Sequence, residues 1–455
     1  MSGGKWLTRD RAFYQSFLRL CLTLMLEQAV ILSVNLADNM MLGAYSEEAL
    51  SGVAAVNQIQ FVYQQLVYGV TNGLLVLGTQ YWGQKRVAEI RRLSAIGLRL
   101  ETALAVVLFV LVSVFSRPAL RIFTPNEAFI AQGVDYLRIV RFSYPFFALT
   151  ALMLGTMRMV ESVRIALRVS IISLCLNVAI NYLLIFGRLG APEMGVRGAA
   201  VGTLAARAAE CVIVAVHMFR REKTLDIHLR DYRRIDRAML RDVLRVGTPV
   251  LITSALWGVS NALQTVILGH MSDSAISAQS ISSTVFLLLK VTAVGAASAA
   301  SVMIGRTVGT GDIGKVREYS RTLQAMFLCI GAVLALMMLS LRRPLLRVYR
   351  VSDETRALAD AYMIIQSVVL FTMSYQMPVN TGIIRGGGDT RFVLWLDLIS
   401  IWGIVMPLSL LGAFVWHWPP VAVIICLNAD QCFKCVPAFL RVRGDRWIKR
   451  LTRAA

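Results

Sequence analysis

Residues 17–42 read FLRLCLTLMLEQAVILSVNLADNMML, with Arg19, Glu27 and Asp38 as the only charged side chains. A helix needs about 20 mostly apolar residues to cross the ~30 Å hydrocarbon core of a bilayer, and this run is long enough. It is too long for the apolar region of a secretory signal, about 7–15 residues. Similar runs recur along the chain. Twelve spans are expected, at 17–42, 53–80, 95–115, 134–155, 169–187, 198–219, 246–269, 280–305, 322–341, 358–381, 392–414 and 420–440. Barrel strands would be ~10 residues long and alternating, so the spans are helices. The whole chain agrees, with 56% apolar residues, only 16% charged and a formal net charge of +20. Soluble domains are about 25% charged, and disordered chains are charge-rich and apolar-poor. A nucleic-acid binder would spread its positive charge over a solvated face, whereas here the charges are squeezed between apolar runs. The expected class is an all-α polytopic membrane protein with no nucleic-acid partner.

The first span has a copy. LGAYSEEALS at 42–51 matches LGHMSDSAIS at 268–277 with an offset of 226. The same offset joins Gly69 to Gly295, Gly83 to Gly309, Arg91 to Arg317 and Tyr136 to Tyr362, and it becomes 227 by Gly155 and Gly382. Two six-span halves are therefore parallel copies. The expected organisation is a first half at 1–219, a charged linker at 220–245, a second half at 246–440 and a basic tail at 441–455. With the N-terminus inside, the inner segments hold 31 Lys and Arg and the outer loops nine, with the loop around Arg342–Arg356 dissenting. This bias places both termini in the cytoplasm, where the basic loops face anionic lipid. Parallel six-span repeats are a transporter architecture, with the substrate path between copies.

Four motifs carry a family resemblance: NLADNMMLG at 35–43, GTQYWGQKR at 78–86, GVRGAAVGT at 195–203 and RGGGDTR at 385–391. The ending RVRGDRWIKRLT at 441–452 adds to it. In this order and spacing they resemble the multidrug and toxic compound extrusion (MATE) transporters of bacteria, over nearly the whole chain. The resemblance implies two six-helix lobes in a V, in the bacterial inner membrane. It also implies export of bulky, often cationic organic compounds in exchange for H⁺ or Na⁺. A flippase for lipid-linked saccharides, from the same superfamily, is the alternative.

Ionisable groups inside spans are costly and usually functional, which makes Asp38 the leading candidate. It is expected either to carry a proton across or to hold Na⁺, a hard cation that prefers oxygen ligands. Asn177 and Asn181 lie four apart and share a helix face, and Thr203 adds a hydroxyl. The resemblance assigns Asp38, Asn177, Asn181, the Ala199 carbonyl and Thr203 to a cation site, with Na⁺ held by Asp38, Asn177, Asn181 and Thr203. Some relatives of that type carry an acid where this chain has Asn181, which tilts the reading towards H⁺. Others place a Glu eight residues past a proline in span 7. Here that position, counted from Pro249, is Trp257, which puts a second-lobe coupling site in doubt.

The repeat mate of Asp38 is Gln264. Trp257, Asn261 and Gln264 share a face and are expected to line a substrate cavity. Asn57, Gln64 and Tyr68 of span 2 are expected to do the same, as is Lys290, the mate of Gln64. Lys290 is expected to be neutralised by Asp397 or Asp430, although Asp430 and Lys434 are also spaced for a local pair. Glu27 sits on nearly the Asp38 face, about 16 Å along the axis, as a waypoint, a substrate acid or a partner of Arg19 or Arg99. Arg207 and Glu210 are spaced for a local bridge.

Other signals point nowhere else. GTGDIGK at 309–315 resembles a phosphate loop, but Val316 stands where Ser or Thr would hold Mg²⁺. Cys432 and Cys435 form a CxxC without a second pair, and seven cysteines give no disulfide framework. Four scattered histidines build no catalytic constellation. The chain is expected to be no enzyme, to need no cofactor beyond a coupling ion, and to act as a monomer on small organic substrates among membrane lipids.

Overall fold

A computed structural model describes residues 7–232, 236–269, 273–348 and 351–453. The first half is built from α1 (Arg11–Tyr45), α2 (Glu47–Gly83), α3 (Val87–Val114), the short α4 (Ser116–Arg121), α5 (Glu127–Val140), α6 (Ser143–Met159), α7 (Arg164–Phe186) and α8 (Val196–Arg220). The second half runs through α9 (Arg237–Gly269), α10 (Asp273–Thr310), α11 (Ile313–Val348), α12 (Asp353–Met377), α13 (Thr390–Asp397), α14 (Met406–Leu410), α15 (Pro420–Phe433) and α16 (Cys435–Arg443). Among the described residues ten helices are long and apolar enough to cross a membrane, and α5 with α6 makes an eleventh span bent by 56°. The twelfth expected span is α2, which is 37 residues long. Its hydropathy is diluted by Asn57, Gln58, Gln60, Gln64 and Gln65. The helices outrun the apolar stretches at both ends, because backbone pairing continues into the polar flanks.

The last spans are broken helices. Pro378–Ile384, Leu398–Val405 and Leu411–Val415 are π-helical, a wider winding that interrupts α-helices and often marks functional sites. Many large apolar side chains face outwards, including Val106, Val107 and Val110 on α3 and Val333 and Leu336 on α11. An exposed apolar surface of this extent is a lipid-facing surface.

The chain forms two compact units. One holds Leu26–Gly78 and Arg86–Ala255, and the other holds the described residues up to Met25, Thr79–Lys85 and everything from Leu256 onward. These boundaries differ from those expected at 219 and 246, because each half's first helix divides between the units. In one unit, Gly69 and Gly73 of α2 leave room for Leu251 and Gly247 of α9. In the other, Gly295 of α10 leaves room for Met25 and the Cys21 carbonyl of α1. Gly69 and Gly295 are repeat mates, as are Met25 and Leu251, so one small-residue crossing has been duplicated. Small residues let backbones approach where lipid supplies no hydrophobic drive. The repeat is also visible in the cores, where mates Ala49 and Ala275, and Tyr136 and Tyr362, are all buried.

Candidate functional site

In the unit built on Leu26–Gly78 and Arg86–Ala255, α1 and α7 bring Asp38 and two asparagines together. The Asn181 amide donates to Asp38 Oδ1 at 2.6 Å and to Asn177 Oδ1 at 3.3 Å. Asn181 is fully buried and Asn177 is 1% exposed. The remaining Asn181 oxygen, Oδ1, is buried without a partner. Gly202 on α8 is required here, since any side chain at that position would run into that oxygen. Thr203 lies next along α8, 3.4 Å from the Tyr136 hydroxyl. Ala199 is buried one turn earlier.

Asp38, Asn177 and Thr203 line a cavity of about 70 Å³. Sites for drug-sized molecules occupy about 300–1,000 Å³, so this one suits an ion with a few waters. The cavity offers a hard cation a carboxylate, an amide oxygen from Asn177 and the Thr203 hydroxyl, while the Asn181 oxygen is turned to Gly202. Among the described residues no three His, Cys, Asp or Glu side chains cluster as a transition-metal site would require.

Asn57 and Gln64 line this same cavity instead of a separate substrate surface. Tyr68 is packed edge-on against Phe147, at 5.7 Å. The sequence reading did not assign Gln60, Tyr63, Tyr136 or Tyr144 to the site, yet all four line the cavity. A signal for part of this was present. Asn57, Gln60 and Gln64 are spaced three and four apart, as are Ser170, Ser173 and Asn177, which puts polar stripes on two otherwise apolar helices. Arg207 also lines the cavity. Its guanidinium is bound to Glu210 at 2.8 Å and lies 5.0 Å from the Phe147 ring centroid, so the expected local bridge is present.

Two expected pairings are corrected. Glu27 meets Arg158 at 3.6 Å, not Arg19 or Arg99. Arg19 is exposed, and the Arg99 guanidinium is turned to the Tyr232 carbonyl at 2.6 Å. Asp397 and Asp430 make no close ion pair with Lys290, although the Asp430 charge acts on it from a distance. Both bind Lys434 Nζ, at 2.7 and 2.9 Å, and Lys290 stands over the Trp257 ring at 5.0 Å. Nearby, Asn261 donates to the Trp257 carbonyl and Gln264 reaches Ser260 at 3.5 Å.

The motifs also have structural reasons. In RGGGDTR, Asp389 is 1% exposed and holds Lys449 at 2.7 Å and Arg441 through its Nε at 2.9 Å. Gly387 leaves room for the buried Trp447 ring, and Gly388 adopts φ +102° beside the Lys449 carbonyl. Gln80 of GTQYWGQKR donates to the Lys449 carbonyl and accepts from Leu451 N–H. Two motifs thus build one clamp, and the ending at 441–452 is docked into it. In GTGDIGK, Gly309 packs closely on the Gln80 backbone and Gly311 turns the chain at φ +82°. Asp312 then caps α11 through the Lys315 N–H.

The MatE family model matches residues 24–183 and again 249–411, most of each half. The chain belongs to the MatE family. The double match is the internal repeat seen a second way. A probable multidrug resistance protein NorM of Thermotoga maritima is 26% identical over 96% of this chain and 93% of its own length. A probable multidrug resistance protein YoeA of Bacillus subtilis is 24% identical over 84% of each. The eukaryotic MATE transporter AtDTX14 superposes with a TM-score of 0.86 at 15% identity, covering 97% of both chains. A MOP superfamily transporter of Pyrococcus furiosus gives 0.84 at 18% identity, covering 100% of this chain and 99% of that one. This MatE chain is thus a multi-pass membrane transporter with the MATE fold.

Proposed function

We propose that the protein is a secondary active antiporter of the bacterial inner membrane, exporting organic compounds, cationic and amphipathic ones foremost, in exchange for H⁺ or Na⁺. The multidrug resistance names of its relatives support the substrate class, and the inner excess of Lys and Arg supports cytoplasmic termini. The observation that carries the reading is the Asp38–Asn181 hydrogen bond at 2.6 Å, beside a cavity sized for an ion.

The geometry supplies a coupling step. An ionised Asp38 accepts the Asn181 amide strongly, because charge-assisted bonds are short and strong. A proton on Asp38 weakens that bond and releases α7 from α1. Na⁺ would instead require the Asn181 amide to rotate and offer its oxygen. Arg207 in the same cavity opposes the arrival of either cation at Asp38, so it does not choose between them. Alternating access then follows if the helices carrying Asp38 and Asn181 pack differently in the two protonation states.

The test is substrate efflux from energised vesicles with pH and Na⁺ gradients imposed one at a time. Efflux is expected to follow the pH gradient and to fall to background in Asp38→Asn. Full-rate transport by that variant, or transport indifferent to both gradients, would overturn the reading.

A further inference from the structure

The unit that lacks an Asp38 equivalent contains its own buried charge cluster, unused by the mechanism above. Lys434 is 4% exposed and Asp430 5%. Lys434 Nζ lies between Asp397 Oδ1 at 2.7 Å and Asp430 Oδ2 at 2.9 Å. Asp397 ends α13 where the first π-helical stretch of that span begins. Lys434 sits at the junction of α15 and α16, so its ammonium ties two broken spans together.

A row of amides leads to the same carboxylate. Asn380 Nδ2 donates to Gln376 Oε1 at 2.9 Å, Gln376 Nε2 to Gln431 Oε1 at 2.5 Å, and Gln431 Nε2 to Asp430 Oδ2 at 2.9 Å. Every donor points the same way, towards a negative end, and such chains strengthen cooperatively. At the head of the row Asn380 Oδ1 is buried without a partner, in a π-helical segment. Two carboxylates supply oxygens of the kind hard cations take, and the amide row donates N–H groups that hold Asp430 in place. An ammonium is a compact point charge of suitable size.

We infer that Asp397 and Asp430 form a monovalent-cation site permanently filled by the chain's own Lys434, so that this half of the transporter has a tethered cation where a coupled one would sit. The half is then held in one charge state through the cycle. The inference concerns residues remote in sequence from Asp38 and stands whether or not Asp38 is the coupling acid.

Removing the ammonium while keeping both acids is expected to open the site to Na⁺. The experiment uses the full chain in detergent, in an Asp38→Asn background that silences the other site. Melting is followed in NaCl, KCl and choline chloride at equal ionic strength. The parent is expected to melt alike in all three. Lys434→Gln is expected to melt roughly 5–10 °C lower in choline chloride, as breaking a buried pair does, and to recover in NaCl. Adding Asp397→Asn to Lys434→Gln is expected to abolish the recovery. Lys434→Gln melting alike in Na⁺ and choline would overturn the inference. If Lys434→Gln does not fold, the neutral set Lys434→Met, Asp397→Asn and Asp430→Asn decides. A folded neutral protein supports a charge role for Lys434, and an unfolded one overturns it.

Discussion

Asp38 and Asp430 are both carboxylates inside helical spans, and their neighbours give them opposite characters. Asp38 is held by the Asn181 amide, with a small cavity beside it that Arg207 also lines. Asp430 is held by a lysine one helical turn away and accepts from Gln431 as well. A carboxylate with neutral partners and room next to it can exchange an ion. One with an ammonium at 2.9 Å has its counter-charge fixed by the chain. Gene duplication made two similar scaffolds, and the side chains differentiated them: the repeat mate of Asp38 is Gln264, and that of Gln64 is Lys290.

The comparison breaks most sharply at Asp38. Asp38→Asn is expected to remove gradient-driven efflux while leaving the melting temperature unchanged or higher, since a costly charge inside a membrane span is lost. Gln264→Ala, at the mate position, is expected to leave the gradient dependence intact. Vesicle efflux on both variants checks the pair.

Asp389→Ala is expected to show the reverse pattern. It strands Arg441 and Lys449 and undocks the ending, so stability should fall by about 3 kcal/mol, the low end for a broken buried pair because Lys449 is half-exposed. Thermal melting checks this, and transport per folded molecule should be near normal. A transport defect exceeding the folding defect would give the clamp a role in the cycle.

Asn181→Ala and Gly202→Ala should sharpen the Asp38 side. The first deletes the donor to the carboxylate, and the second pushes Asn181 aside. Each is expected to shift the external pH at half-maximal efflux upward, because the protonated acid loses its competitor. A lost charged hydrogen bond of about 1.4 kcal/mol corresponds to a tenfold change in ion affinity, or about one pH unit. A shift downward would reverse the assigned role of Asn181.

The smallest effect is expected at the exposed Arg92, which meets Glu89 at 3.3 Å. Arg92→Ala should change stability by less than about 0.5 kcal/mol, as solvent screens such pairs. It serves as the baseline for the other melts.

The sequence was most legible where lipid dictates the pattern. Ten spans passed as apolar helices, and the polar α2 still had its length and its repeat mate α10. Asp38, Asn177 and Asn181 were legible because charge and amides inside a span are costly, so each stood out alone. The aromatic lining at Tyr63, Tyr136 and Tyr144 was not legible, since aromatic residues in spans are as readily packing or lipid contacts. Pairings across helices were also out of reach. Spacing along one helix allowed Asp430 with Lys434 and Arg207 with Glu210, and both pairs formed. It gave no means to choose Arg158 for Glu27, which lies on a different helix.

Length, hydropathy and the 226-residue offset by themselves determined a duplicated bundle of membrane helices, because backbone groups in lipid must pair within each segment and leave few alternatives. Only the tertiary structure decided which acid meets an asparagine beside a cavity and which meets a lysine. That depends on which helix brings a lysine or an asparagine within 3 Å, and such distances are set by packing between segments far apart in the chain.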